Sequence, residues 1–114
     1  MTYRLQDVFT AIADPHRREM LDTLAAGELS AGDIAARFAM SRPAVVRHLR
    51  VLERSDLIRI TKRGRRRLHR LNPEPLRTVR DWLSAYDRFW DDRLQVLKDL
   101  VEADAAAAPG GEDN

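Results

Sequence analysis

Apolar residues fall along the chain in two rhythms, and the change of rhythm predicts where the elements lie. Leu5, Val8, Phe9 and Ile12 stand at i, i+3, i+4 and i+7, one stripe of an amphipathic helix. Asp14 and Pro15 close that helix and open the next, Asp14 as N-cap and Pro15 at the first helical position. Met20, Leu21 and Leu24 form the stripe of the second helix, and Gly27 is expected to end it. Ser30 with Asp33 reads as a capping box, with Asp where Glu is preferred, opening a third helix that carries Ile34, Ala35 and Phe38. A brief turn at Ala39-Met40, without the frequent Gly, leads into Ser41 to Arg54. There Ser41 is the N-cap and Pro43 lies in the first turn, while Val45, Leu49 and Leu52 mark the side to be buried. Arg42, Val46, Arg47 and Arg50 fall on the opposite side of this fourth helix.

After Asp56 the period shortens to two. Leu57 to Thr61 and Arg67 to Leu71 read as strands, with Lys62 to Arg66 as a turn centred on Gly64. A lone two-stranded ribbon is barely stable in water, so the hairpin must lean on the helices. Asn72-Pro73-Glu74-Pro75 breaks the strand. From there no Gly or Pro intervenes until Pro109, and a single helix is expected from Pro75 to Glu102, running about 42 Å. It carries two apolar seams. Leu76, Val79, Leu83, Tyr86, Trp90, Leu94, Leu97 and Val101 make the first, and Trp82, Phe89 and Val96 the second. One seam can close the chain's own core, and the other calls for a partner, most simply an identical chain. The helix from Leu5 to Ile12 is a second candidate for that interface. The expected interface residues are therefore Leu5, Val8, Phe9, Trp82, Tyr86, Phe89, Trp90 and Val96. The expected organisation is one domain over residues 1–102 and a disordered acidic tail over 103–114.

Composition narrows the chemistry. With 114 residues the chain suits one modest core. It has no Cys, which excludes disulfides, thiolate metal sites and Cys nucleophiles and accords with a reducing cytoplasm. The start, MTYRLQDVF, lacks a signal-peptide layout, and no apolar run approaches membrane-spanning length. Net charge is only +2, but its distribution is uneven. Arg59, Lys62, Arg63, Arg65, Arg66, Arg67 and Arg70 follow one another with no acid among them, whereas every charged residue beyond Val101 is acidic. A basic region on a nearly neutral protein is the footprint of a polyanion-binding face.

Two short helices, the second one basic, followed by a basic hairpin are the layout of a winged helix-turn-helix. The fold class expected is mainly α with a small β-hairpin, dimeric through its terminal helices. Arg42, Arg47 and Arg50 would read or straddle the major groove, and Lys62, Arg63, Arg65 and Arg66 would grip phosphates from the wing. An RNA-binding strip is disfavoured because the strands lack aromatics for stacking unpaired bases. Asp81, Asp87, Asp91 and Asp92 recur on the polar side of a long helix, without the nucleophile–base pair or Gly-rich loop of an enzyme, so no catalytic residues are expected. His16, His48 and His69 lie in separate elements without paired metal-ligand spacing, and surface or capping roles are expected for them.

The segments AIADPHRREMLDTL, LSAGDIAARFAMSRPAVVRHLRVLERSDLI and KRGRRRLHRLNP resemble the arsenical-resistance-repressor (ArsR) family of winged-helix transcription factors, over about Leu5 to Glu102. The resemblance implies a homodimer that binds a palindromic operator on double-stranded DNA and represses transcription. It also implies that Ser41, Arg42, Val46, Arg47 and His48 touch DNA, with Val46 standing where Ser is common. Metal-responsive members carry Cys in the third helix or acid and His ligands in the last. Here the third-helix stretch is LSAGDIA and the last helix has no His, so no metal and no other cofactor is expected. The final helix, WLSAYDRFWDDRLQVLKDL, looks like a Cys-free branch of the family whose genes often neighbour those of START-like, polyketide-cyclase-type proteins. Two alternatives stay open: a regulator gated by a small molecule bound among Trp82, Tyr86, Phe89 and Trp90, and a protein-interaction module that has lost DNA binding.

Overall fold

The computed structural model describes residues 4–107. Six helices and one hairpin follow in the order α1 (Leu5–Ile12), α2 (Pro15–Ala25), α3 (Ala31–Phe38), α4 (Arg42–Arg54), β1 (Ile58–Arg63), β2 (Arg66–Leu71), α5 (Leu76–Ser84) and α6 (Asp87–Ala107). The chain divides into two compact units, Met1–Arg80 and Asp81–Asn114.

Local chemistry starts each of the middle helices where the sequence says it should. Asp14 accepts from the amides of His16 and Arg17, Ser30 from Asp33 and Ser41 from Ala44. Each cap satisfies amides that the first turn leaves unpaired. The C-terminus of α1 is closed from outside: the Arg17 guanidinium donates to the carbonyls of Ala11 (2.6 Å) and Thr10 (2.9 Å), and Arg18 to that of Ile12 (2.9 Å). α2 ends at Ala25 with an ordinary right-handed cap at Ala26, so Gly27 is not needed for a left-handed stop. At the turn between α3 and α4, Ala39 adopts φ 52, ψ 38, the left-handed region where a Cβ is crowded.

The first unit buries one core of Val8, Ala11, Met20, Leu21, Leu24, Ile34, Val45, Leu49, Leu52, Leu57 and Ile58. Val8 is fully enclosed there. It belongs to the interior and has no face to offer a partner, which corrects its expected place in an interface. α4 closes with the Ser55 hydroxyl donating to the Leu52 and Val51 carbonyls, and Asp56 at φ 61 turns the chain into β1.

The hairpin is longer than its sequence pattern. Arg63 pairs with Arg66 and Lys62 with Arg67, leaving a two-residue turn at Gly64-Arg65 rather than five residues. Gly64 has φ 61 and Arg65 does not share the positive angle, the signature of a type II′ turn. Lys62, Arg63, Arg65 and Arg66 offer no apolar alternation on either side of Gly64, so the pattern does not show the continuing ladder. A third edge joins the hairpin, since Leu29 and His69 exchange backbone hydrogen bonds of 3.2 and 2.8 Å.

The expected single terminal helix is two helices. The Ser84 hydroxyl donates to the Asp81 carbonyl at 2.6 Å, taking the acceptor that the Ala85 amide would use in a continuous helix. Ala85 and Tyr86 donate instead to Trp82 and Leu83, three residues back, and the ladder breaks before Asp87. Only the start of the first seam packs on the core, through Leu76 and Val79. From Trp82 to Val101 both seams are exposed in the single chain, Trp90 at 64% and Phe89 at 50%. α6 runs to Ala107, past the expected domain end at residue 102; the remainder of the tail lies outside the described residues. No helix among the described residues is long and apolar enough to cross a membrane.

Candidate nucleic-acid interface

Burying Val45, Leu49 and Leu52 dictates what α4 shows outside. Ser41, Arg42, Arg47 and Arg50 are exposed, and Val46 is half-buried between them. Among the described residues none of these three arginines makes an ion pair, so their guanidinium donors are available. β1 and β2 raise a second wall across from α4. Between the walls lies a cleft of about 520 Å³, lined by the start of α3 (Ser30, Ala31, Gly32), by Arg42, Val46, Arg50 and Glu53 of α4, and by Arg65, Arg66 and Arg67 of the wing. Arg67, part of the basic run but not among the expected DNA contacts, lines the cleft together with Arg65 and Arg66.

The wing arginines are not equivalent. Arg63 pairs with Glu28 (3.1 Å) and Arg66 with Asp33 (2.9 Å), tying the hairpin to the approach and first turn of α3. The Asp33 carboxyl is held below its ordinary value first by the Ser30 hydroxyl, with Arg66 adding to it against slight desolvation. Among the described residues Lys62 and Arg65 have no such partner. The two acids are non-local partners, invisible in the local pattern.

His48 lies on the flank of α4 nearest the start of α2. It is half-buried and turned toward the start of α2, its Nδ1 3.4 Å from an Arg17 nitrogen and its ring 5.7 Å from that of His16. Burial lowers its pKa, Arg17, His16 and Arg47 lower it further, and only Asp14 opposes them. His69 stands apart from both. It is buried at the base of the wing, where Nδ1–H donates to the Leu29 carbonyl at 3.2 Å, and burial pushes its pKa down.

Residues 12–61, from the end of α1 to β1, match the family described as "Helix-turn-helix domain". An HTH-type transcriptional regulator of Mycobacterium tuberculosis is 38% identical over 104 residues, 90% of this chain and 94% of that protein. The transcriptional repressor SdpR of Bacillus subtilis is 37% identical over 79% of this chain and all of its own. A crystallised ArsR family transcriptional regulator superposes with a TM-score of 0.68 at 36% identity, over 76% of this chain and 90% of its own. The chain belongs to the ArsR family. It is a DNA-binding transcriptional repressor of that family, which is one of regulators and not of enzymes. In this ArsR-family protein α3 and α4 are the helix-turn-helix, and the β1–β2 hairpin is the wing.

Proposed function

We propose that the protein acts in the cytoplasm as a homodimeric repressor of a palindromic operator, with α4 of each protomer in a major groove and each wing on the flanking backbone. The observation that carries this reading is the arginine-lined cleft between the outer face of α4 and the wing. Ser41, Arg42, Val46, Arg47 and Arg50 take the base edges and nearest phosphates. Lys62, Arg63, Arg65 and Arg66 take the backbone beyond them. His48, next to Arg47 in sequence, is the last proposed contact, at the flank of α4.

The homodimer is supported by exposed apolar residues that a soluble monomer would hide. Trp82, Tyr86, Phe89, Trp90 and Val96 are 43–64% exposed, and a row of this kind marks an interface. Half-buried Leu5 and Phe9 of α1 are the second proposed contribution. The proposed DNA-binding and dimerisation domain spans residues 1–102, followed by the acidic segment 103–114.

The test is selection of binding sequences from random duplexes, followed by sedimentation of the protein with and without the selected site. The reading expects an inverted repeat with half-sites about one helical turn apart (~34–36 Å), bound by two chains. A single half-site bound by one chain overturns it.

A further inference from the structure

Asp14 and His16, two residues apart at the start of α2, are far from His48 in sequence and beside it in space. One potential ligand atom from each lies within 4.8 Å of the others, on the side of the molecule where the start of α2 meets α4. Nothing in DNA recognition requires this grouping. The structure assigns to it a site for one divalent transition-metal ion of the zinc class, held by the Asp14 carboxylate and the imidazoles of His16 and His48.

The donor set suits that class. Two imidazoles and a carboxylate, with no thiolate, are ligands for Zn²⁺, Ni²⁺ or Co²⁺ rather than for Ca²⁺, which takes oxygen only. Ligands at ~2.1 Å around a tetrahedral zinc stand roughly 3.4 Å apart, so the three must close by about an ångström. His16 can do this, because its side chain is 53% exposed and free to rotate. The other two are already positioned. Oδ1 of Asp14 accepts the amides of His16 (2.8 Å) and Arg17 (3.2 Å), which fixes the carboxylate, while Oδ2 accepts no hydrogen bond among the described residues. His48 is half-buried on α4 with its ring turned toward the start of α2. Arg17 is the competitor: its contact with His48 Nδ1, at 3.4 Å, is the longest of its three. A metal can replace that contact while Arg17 stays anchored on the Ala11 and Thr10 carbonyls. Three protein ligands leave a fourth position to water. The nearby Arg17 and Arg47 charges make this an exchangeable site, not a permanent structural one. Its occupancy would fasten the flank of the DNA-reading helix to α2.

The experiment uses the full chain without a polyhistidine tag. Zn²⁺ is titrated in competition with a chromophoric chelator, and the imidazole C–H resonances are followed by NMR. The expected result is one saturable equivalent per chain, with shifts at His16 and His48 and none at His69. His16→Ala, at an exposed position that circular dichroism should find folded, should weaken binding at least ~10-fold. Asp14→Asn keeps a good N-cap and should weaken it too. An absence of saturable binding, a smaller loss in His16→Ala, or shifts centred on His69 overturns the proposal.

Discussion

Helices α4 and α6 carry similar apolar stripes and meet opposite fates. In α4, Val45, Leu49 and Leu52 are at most 3% exposed. In α6, Phe89, Trp90, Leu94, Leu97 and Val101 are 50–64% exposed. The first helix is completed by its own chain, so its outer face is free for another molecule. The second is incomplete alone, and its apolar side is what it offers. The same periodicity is buried by the chain's own core in one place and left exposed in the other, where the proposed dimer would use it.

The largest effects should separate these two roles. Leu52→Ala removes a fully buried side chain and is expected to lower stability by about 2–5 kcal/mol, at every protein concentration. Trp90→Glu should leave the monomer's core intact and abolish association, a loss of at least ~2 kcal/mol in self-affinity if Trp90 is a central anchor. The wild-type melting temperature should rise with protein concentration and that of the variant should not. Thermal melts over a concentration series check both. A wild-type curve that ignores concentration breaks the comparison.

The outer face of α4 comes next. Arg47→Ala should leave the melt unchanged and cost ~1–3 kcal/mol in operator affinity, with less loss on random duplex. Equal losses on both would assign Arg47 to phosphate. On the wing, Arg65→Ala should flatten the slope of log affinity against log salt by about 0.9 for the one phosphate lost.

The smallest effect is a pH dependence. Burial depresses the pKa of His69, assisted by Arg67, while its bond to Leu29 and the charge of Glu53 pull the other way. Above the unfolded-state value, about 6.5, both states are neutral and the group contributes nothing. As pH falls below it, the unfolded chain takes the proton first, so stability declines until the folded value is reached. His69→Gln should show a shallower fall in melting temperature between pH 7 and 5.

Much of this architecture was legible in the sequence because it is written locally. Asp14, Ser30 and Ser41 cap the helices they precede, and i, i+3, i+4 stripes named most of the core. The basic face of α4 and the wing followed from the same spacing. What escaped depends on contacts that no local window contains. The Leu29–His69 bridge spans forty residues, and the acids that hold Arg63 and Arg66 lie far upstream. The break at Ala85 escaped for another reason: a serine hydroxyl competes with a backbone amide, and sequence alone does not say which wins.

Glu28 and Asp33 make the wing carry its own counter-ions. Before DNA arrives, two of its cations are already neutralised, so the free protein presents a milder field than its arginine count suggests. To seize a phosphate, Arg63 or Arg66 must exchange one anion for another, and a carboxylate is left behind near the duplex. On the proposed reading a weakly charged surface would lose that exchange, whereas the dense charge of a nucleic acid backbone would win it.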